Sequence, residues 1–220
     1  MGDTQVSDVY LTEDVLGSKR RLRLAKDDIL ALLNMEKLSL PVIQTFLGYL
    51  FSVCDIKTYG FLCPEVTSLL GHAQDDAITL ISTRMQALKK KIYFAPYGAK
   101  DHWMLLVFDV VDRNQVLWFD STGNSVPSKL RTYINTAIRV YGYNGGARKS
   151  SQTPQWLKIN CARQEGDTEC AYYIMRYMLE IVTRSDPTKA IDEVFQDKMA
   201  YSQDEIDEVR DLWANYFSNA

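Results

Sequence analysis

The chain has 220 residues, 46% of them hydrophobic and 24% charged, with a formal net charge of −3. This is globular composition at a length that fills one domain with its own core, and it lacks the basic footprint of a nucleic-acid binder. No run approaches the roughly 18 unbroken apolar residues of a membrane span, and Met1-Gly2-Asp3-Thr4-Gln5 opens no apolar signal segment. The four cysteines (Cys54, Cys63, Cys161, Cys170) form no CxxC pair, so neither zinc nor a disulfide framework is expected. Free thiols in an intracellular, reducing setting are the expectation.

In chain order, residues 1–25 read as a polar arm and residues 26–220 as a single domain. The arm's basic cluster, Lys19 to Arg23, fits a solvated face better than a nuclear-import signal. Lys26 to Asn34 reads as a short helix. Ser39 reads as the N-cap of a helix to about Val53, with Pro41 tolerated in its first turn. Pro64 opens a short helix through Leu70, and a longer one runs from Gln74 to about Lys89. Lys91 to Tyr97 is then a strand. His102 to Val110 is a nearly continuous apolar run, which suits a strand buried on both faces. A turn at Asp112-Arg113-Asn114 sends the chain back along Gln115 to Asp120.

Pro127 to Tyr143 reads as an amphipathic helix, Gly145 to Ser151 as a loop, and Trp156 to Cys161 as a third strand. A buried helix begins at Cys170, a segment from Pro187 to Phe195 follows, and Ser202 to Glu205 caps a last helix. Helices at both ends around a small central sheet make an α+β layout.

Cys170 stands where the apolar helix emerges from the polar stretch Gly166-Asp167-Thr168-Glu169. Aligned peptide dipoles favour a thiolate at a helix N-terminus. His102, at the mouth of a buried strand, can serve as general base, and Asp120 can hold its ring. Gln164, 170 − 164 = 6 residues before the thiol, can aim an amide at a developing oxyanion. Together they would make a cysteine hydrolase.

Each residue alone also has an ordinary reading: a core thiol, a strand-edge imidazole, a carboxylate that starts a turn, a solvated glutamine. Simple pairing about the turn leaves His102 and Asp120 roughly 10 Å out of register. Cys63, before the helix at Pro64, is the rival nucleophile by position, and His72 reads as a helix-end residue.

The order His102-Trp103, Asp120-Ser121, Gln164, Cys170 resembles the ubiquitin-like-protein proteases, the SUMO/sentrin-specific cysteine protease family. The separations agree: 120 − 102 = 18 and 170 − 120 = 50. The segments around Trp156-Leu157-Lys158-Ile159 and Tyr172 to Met178 are most similar to plant members. The resemblance implies a papain-like, adenain-type fold with a small, mostly antiparallel central sheet flanked by helices. The nucleophile would begin its central helix. It implies cleavage after the Gly-Gly end of a ubiquitin-like modifier, SUMO-type favoured and Nedd/Rub-type as the alternative, with Trp103 as a lid over that tail. It further implies no cofactor or metal, a monomer, and a nuclear or cytoplasmic setting.

Two departures stand out. Ala171 replaces the glycine that usually follows the cysteine and adds a Cβ beside the nucleophile. Leu38-Ser39-Leu40-Pro41 replaces a Trp-Leu-Asn-Asp-like element. A weakly catalytic modifier-binding module and a transacylase with the same triad are the competing readings.

Overall fold

In the computed structural model, which describes residues 6–68, 73–145, 152–184, 195 and 199–219, the polar arm expected over residues 1–25 is not what residues 6–25 form. They fold as an antiparallel ribbon of β1 (Val6–Leu11) and β2 (Arg20–Ala25), joined through a one-turn helix, α1 (Glu13–Leu16). The correction has a simple cause. Val9, Leu11, Leu22 and Leu24 alternate with polar or exposed neighbours, and all four are buried in the main core. Average polarity hid a period of two, which is the periodicity of a half-buried strand. Gly17, at φ +91°, ends α1 in the left-handed conformation that favours glycine.

The helices that follow are α2 (Lys26–Leu33), α3 (Leu40–Val53), α4 (Pro64–Ser68), α5 (Gln74–Leu88), α6 (Ser128–Tyr143), α7 (Cys170–Val182) and α8 (Gln203–Ser218). Ser39 does precede α3, but its hydroxyl makes no capping bond. Ser202 and Glu205 form the expected reciprocal capping box of α8. The expected continuation of α4 to Leu70, the loop through Ser151 and the segment from Pro187 lie outside the described residues, apart from Gly145 and Phe195. No helix among the described residues is long and apolar enough to cross a membrane.

The sheet has five strands in the order β3 (Tyr59–Phe61), β4 (Ile92–Ala99), β5 (His102–Asp109), β6 (Gln115–Phe119) and β7 (Gln155–Lys158). The two inner pairings are antiparallel and the two outer ones parallel. The sheet is therefore mixed, with its longer pairings antiparallel as expected. Connectivity explains the mixture. A two-residue turn joins β4 to β5 and a five-residue loop joins β5 to β6, whereas helices carry the chain from β3 to β4 and from β6 to β7, and such crossovers return a strand in parallel. At three residues, β3 is too short to show a sequence period.

Each inner strand is buried on both faces. Phe94, Leu105, Val107, Leu117 and Phe119 pack toward α3, α7 and α8. Tyr93, Leu106, Phe108, Val116 and Trp118 pack toward α5 and α6. This two-sided burial is why the β5 sequence is almost continuously apolar. The charges of α7 are answered locally: Arg176 pairs with Glu180 at 3.4 Å and with Glu208 of α8.

Candidate active site

Three segments meet at one end of the sheet: β5 begins at His102, β6 ends at Phe119 with Asp120 next, and α7 begins at Cys170. The hairpin register explains how His102 reaches Asp120. The β5–β6 loop is longer than the expected three-residue turn, so Asp109 pairs with Gln115 and Leu105 with Phe119. One step further, Asp120 stands across from Met104, two residues from His102 on the same side of the sheet. Diagonal neighbours of this kind are roughly 7–8 Å apart, within reach of a ring and a carboxylate. His102 Nε2 donates to Asp120 Oδ1 at 2.8 Å.

Asp120 is buried and braced by the turn it starts. Its Oδ1 also accepts from the Thr122 backbone N–H at 2.9 Å and from Thr122 Oγ1 at 2.7 Å. Its carbonyl accepts from Gly123 N at 2.9 Å. Burial alone would raise this carboxyl, but the bonds from His102 and Thr122 outweigh it and hold the group below its ordinary value.

His102 moves the other way, from 6.5 up to about 9. Its hydrogen bond to Asp120 is the largest cause and its bond to the Cys170 side chain the next, with burial opposing both. Nε2 faces Asp120. The ring is therefore charged at neutral pH, between a carboxylate and a sulfur.

Cys170 is 2% exposed. Its Sγ accepts from the Trp103 backbone N–H at 3.4 Å. Ala171 is wholly buried within the main core. The other thiols are elsewhere in the fabric. Cys63 is buried and accepts from Gln44 Nε2 at 3.5 Å. Burial pushes the Cys54 thiol up to about 11. Cys161 lies under the site, donating to the Asp120 carbonyl at 3.7 Å. His72 falls outside the described residues.

Gln164 is held beside Asp120 by Ser121. The Ser121 carbonyl accepts from Gln164 N at 3.1 Å, and the Ser121 hydroxyl donates to Gln164 Oε1. This fixes which end of the amide is oxygen. Nε2 donates one hydrogen to the Gly166 carbonyl at 2.9 Å, and its second hydrogen has no partner among the described residues.

A groove of about 420 Å³ runs alongside Cys170 and His102. Trp103 spans it, its indole Nε1 donating to the Leu38 carbonyl at 3.0 Å. The far edge of the ring lies over Gly98, where a Cβ would come within 3.1 Å of Trp103 Cζ3. Glycine there lets the indole lie against the strand. The Leu38 loop is tied in turn to the nucleophile's helix, because the carbonyls of Ala31, Leu32 and Glu36 converge on the Tyr172 hydroxyl.

All four expected polar residues thus gather at one end of the sheet, with Trp103 beside them. Sequence reasoning missed Ser121 and Thr122 as braces, Leu38 as the tether and Gly98 as the seat of the indole. Asp120-Ser121-Thr122-Gly123 did read as a turn, and an Asx turn sets a backbone N–H two residues on against the carboxylate. Among the described residues no cluster of His, Cys, Asp or Glu could hold a metal ion.

No protein-family profile matches the chain, and no curated protein aligns with it. Solved structures do. The C-terminal Ulp1 protease domain in complex with Smt3, the yeast orthologue of SUMO, superposes with a TM-score of 0.70 at 13% identity, over 97% of this chain and 88% of that one. A de-sumoylating protease matches at 0.68 and 14% identity, over 97% and 93%. The Xanthomonas campestris effector XopD bound to ubiquitin matches at 0.54 and 16% identity, over 82% and 91%. The chain has the α+β fold of the Ulp1-type proteases, a central mixed sheet flanked by helices.

Proposed function

We propose that this chain is a cysteine protease that cleaves after the C-terminal diglycine of a ubiquitin-like modifier, with a SUMO-type modifier favoured over a Nedd/Rub-type one. The carrying observation is that His102 bonds Asp120 and lines, together with Cys170 and Trp103, one groove. The solved complexes of similar fold, one with Smt3 and one with ubiquitin, support the choice of partner.

In this reading the Cys170 thiolate attacks the terminal glycine carbonyl carbon, and the displaced electron pair moves onto the oxygen. The Cys170 N–H and the free Gln164 Nε2 hydrogen receive that oxyanion, a donor being worth on the order of 3 kcal/mol of barrier. Protonated His102 gives its proton to the leaving amine as the C–N bond breaks, and a thioester remains. His102 then takes a proton from water, the hydroxide attacks the thioester, and the thiolate leaves. Asp120 keeps the imidazole ring oriented throughout. Diglycine presents only backbone, so a flat indole can close over it. Peptide and isopeptide bonds pass through the same steps, so precursor processing and deconjugation are both within reach of this site. Action as a monomer in the nucleus or cytoplasm belongs to the same proposal. The special likeness to plant members rests on the segments around Trp156 and Tyr172 to Met178.

The test is a SUMO whose C-terminal carboxylate is replaced by a propargyl amide. Mass spectrometry should find one adduct, on Cys170, and none after Cys170→Ala. Binding without an adduct would make the chain a modifier-binding module, and an adduct on Cys63 would sink the assignment of the nucleophile.

A further inference from the structure

The groove carries charges that the catalytic steps leave unused. Lys37 lines it from the α2–α3 loop and Lys100 from the β4–β5 turn, with Glu65 and Asp101 as its acidic groups. Glu65 is engaged from behind by Arg20 of β2. Lys37, Lys100 and Asp101 have no ion-pair partner among the described residues. Two free cations against one free anion leave the unpaired charge of the groove wall positive.

Lys100 is also an unusual residue for its position. It starts the two-residue turn between Ala99 and His102, which pair with each other. Its φ is +56°, in the left-handed region. Glycine or asparagine sits there with less strain, and Lys100 gains no internal partner in return. Strain kept beside a functional site points to a use for the side chain.

Two residues span at most about 7 Å of extended chain. A diglycine therefore occupies only the part of the groove nearest Cys170 and Trp103, and the residues ahead of it meet the rest of the lining. We propose that Lys37 and Lys100 select the tail by charge, accepting acidic or neutral side chains ahead of the diglycine and rejecting arginine or lysine there. The proposal rests on the protease reading above and adds to it the class of tail. Because both lysines are exposed, the selection is an attraction screened by salt and not a fixed fit.

The experiment uses SUMO–aminocoumarin fusions in which the two residues ahead of the diglycine are Glu-Glu, Gln-Gln or Arg-Arg. The wild-type chain should cleave the Glu-Glu tail with a kcat/KM about fivefold or more above the Arg-Arg tail. The ratio should shrink at high salt. Lys37→Glu with Lys100→Glu should invert it. Lys100→Gly, which removes the charge and relieves the backbone together, should lower the ratio without loss of melting temperature. An unchanged ratio in the double variant, or equal cleavage of all three tails by the wild type, overturns the selector while leaving the protease reading standing. Failure to cleave any tail overturns both.

Discussion

The catalytic end and the groove wall are built on opposite plans. His102, Asp120 and Cys170 sit at the starts or ends of β5, β6 and α7, elements buried on nearly every side, and each polar group is held by at least one other. Lys37, Glu65 and Lys100 stand on a loop, a five-residue helix and a turn, and all three are exposed. In the proposed reading, chemistry that tolerates little displacement is carried by rigid elements, and recognition is carried by surface segments. Substitutions at the first should change turnover, and substitutions at the second should change preference.

The largest effect should come from Asp120→Asn. The amide presents the wrong donor to His102 and removes the charge that raises it. We expect kcat/KM to fall by about 10⁴-fold. The basic limb of the pH profile should also move down from about 9 toward 6.5. A loss of tenfold or less, with the limb unmoved, would show that the brace matters less than its geometry suggests.

The wild-type profile gives the next test. His102 is protonated in the folded chain up to about pH 9, against 6.5 when unfolded. Its contribution to stability is thus fully present below about pH 6.5 and is lost as the pH rises through about 9. The gap in unfolding free energy between wild type and His102→Gln should close over that window. Activity should fall about tenfold per unit above pH 9, where the proton for the leaving amine is gone.

Thr122→Val should cost about tenfold in kcat/KM, since it removes one hydrogen bond to a buried carboxylate. Thr122→Ser should restore most of it, an outcome that packing alone would not give. The smallest effect on turnover belongs to Ile134→Ala. Ile134 is wholly buried on the α6 side of the sheet. The cavity should cost about 2–5 kcal/mol of stability. Below the melting transition kcat/KM should match wild type. A large kinetic defect would mean that the two sides of the sheet are coupled more tightly than the comparison assumes.

The meeting of the candidate catalytic residues was legible because they are fixed in chain order by their elements: a histidine opening a strand, a carboxylate closing the next, a thiol opening a helix. Register was less so, because the length of the β5–β6 loop decides it and turn residues alone leave that length open. The parallel outer strands were hidden for a different reason. β3 and β7 are three and four residues long, and parallel pairing is a property of the crossovers, which strand sequence does not record. The tether from Leu38 to Trp103 uses a backbone carbonyl, so no side-chain pattern could announce it. The ribbon at the N-terminus was masked by its charges, although its period of two was present.

That ribbon acts on the groove as an electrostatic counterweight. Arg20 reaches from β2 to Glu65 on the groove wall, and Val9, Leu22 and Leu24 seal the core behind it. A boundary drawn at Lys26 would remove the arginine and keep the glutamate. The wall would then hold two free anions against two free cations, and its positive surplus would vanish. If the lysines select the tail as proposed, trimming the chain at Lys26 should weaken that selection.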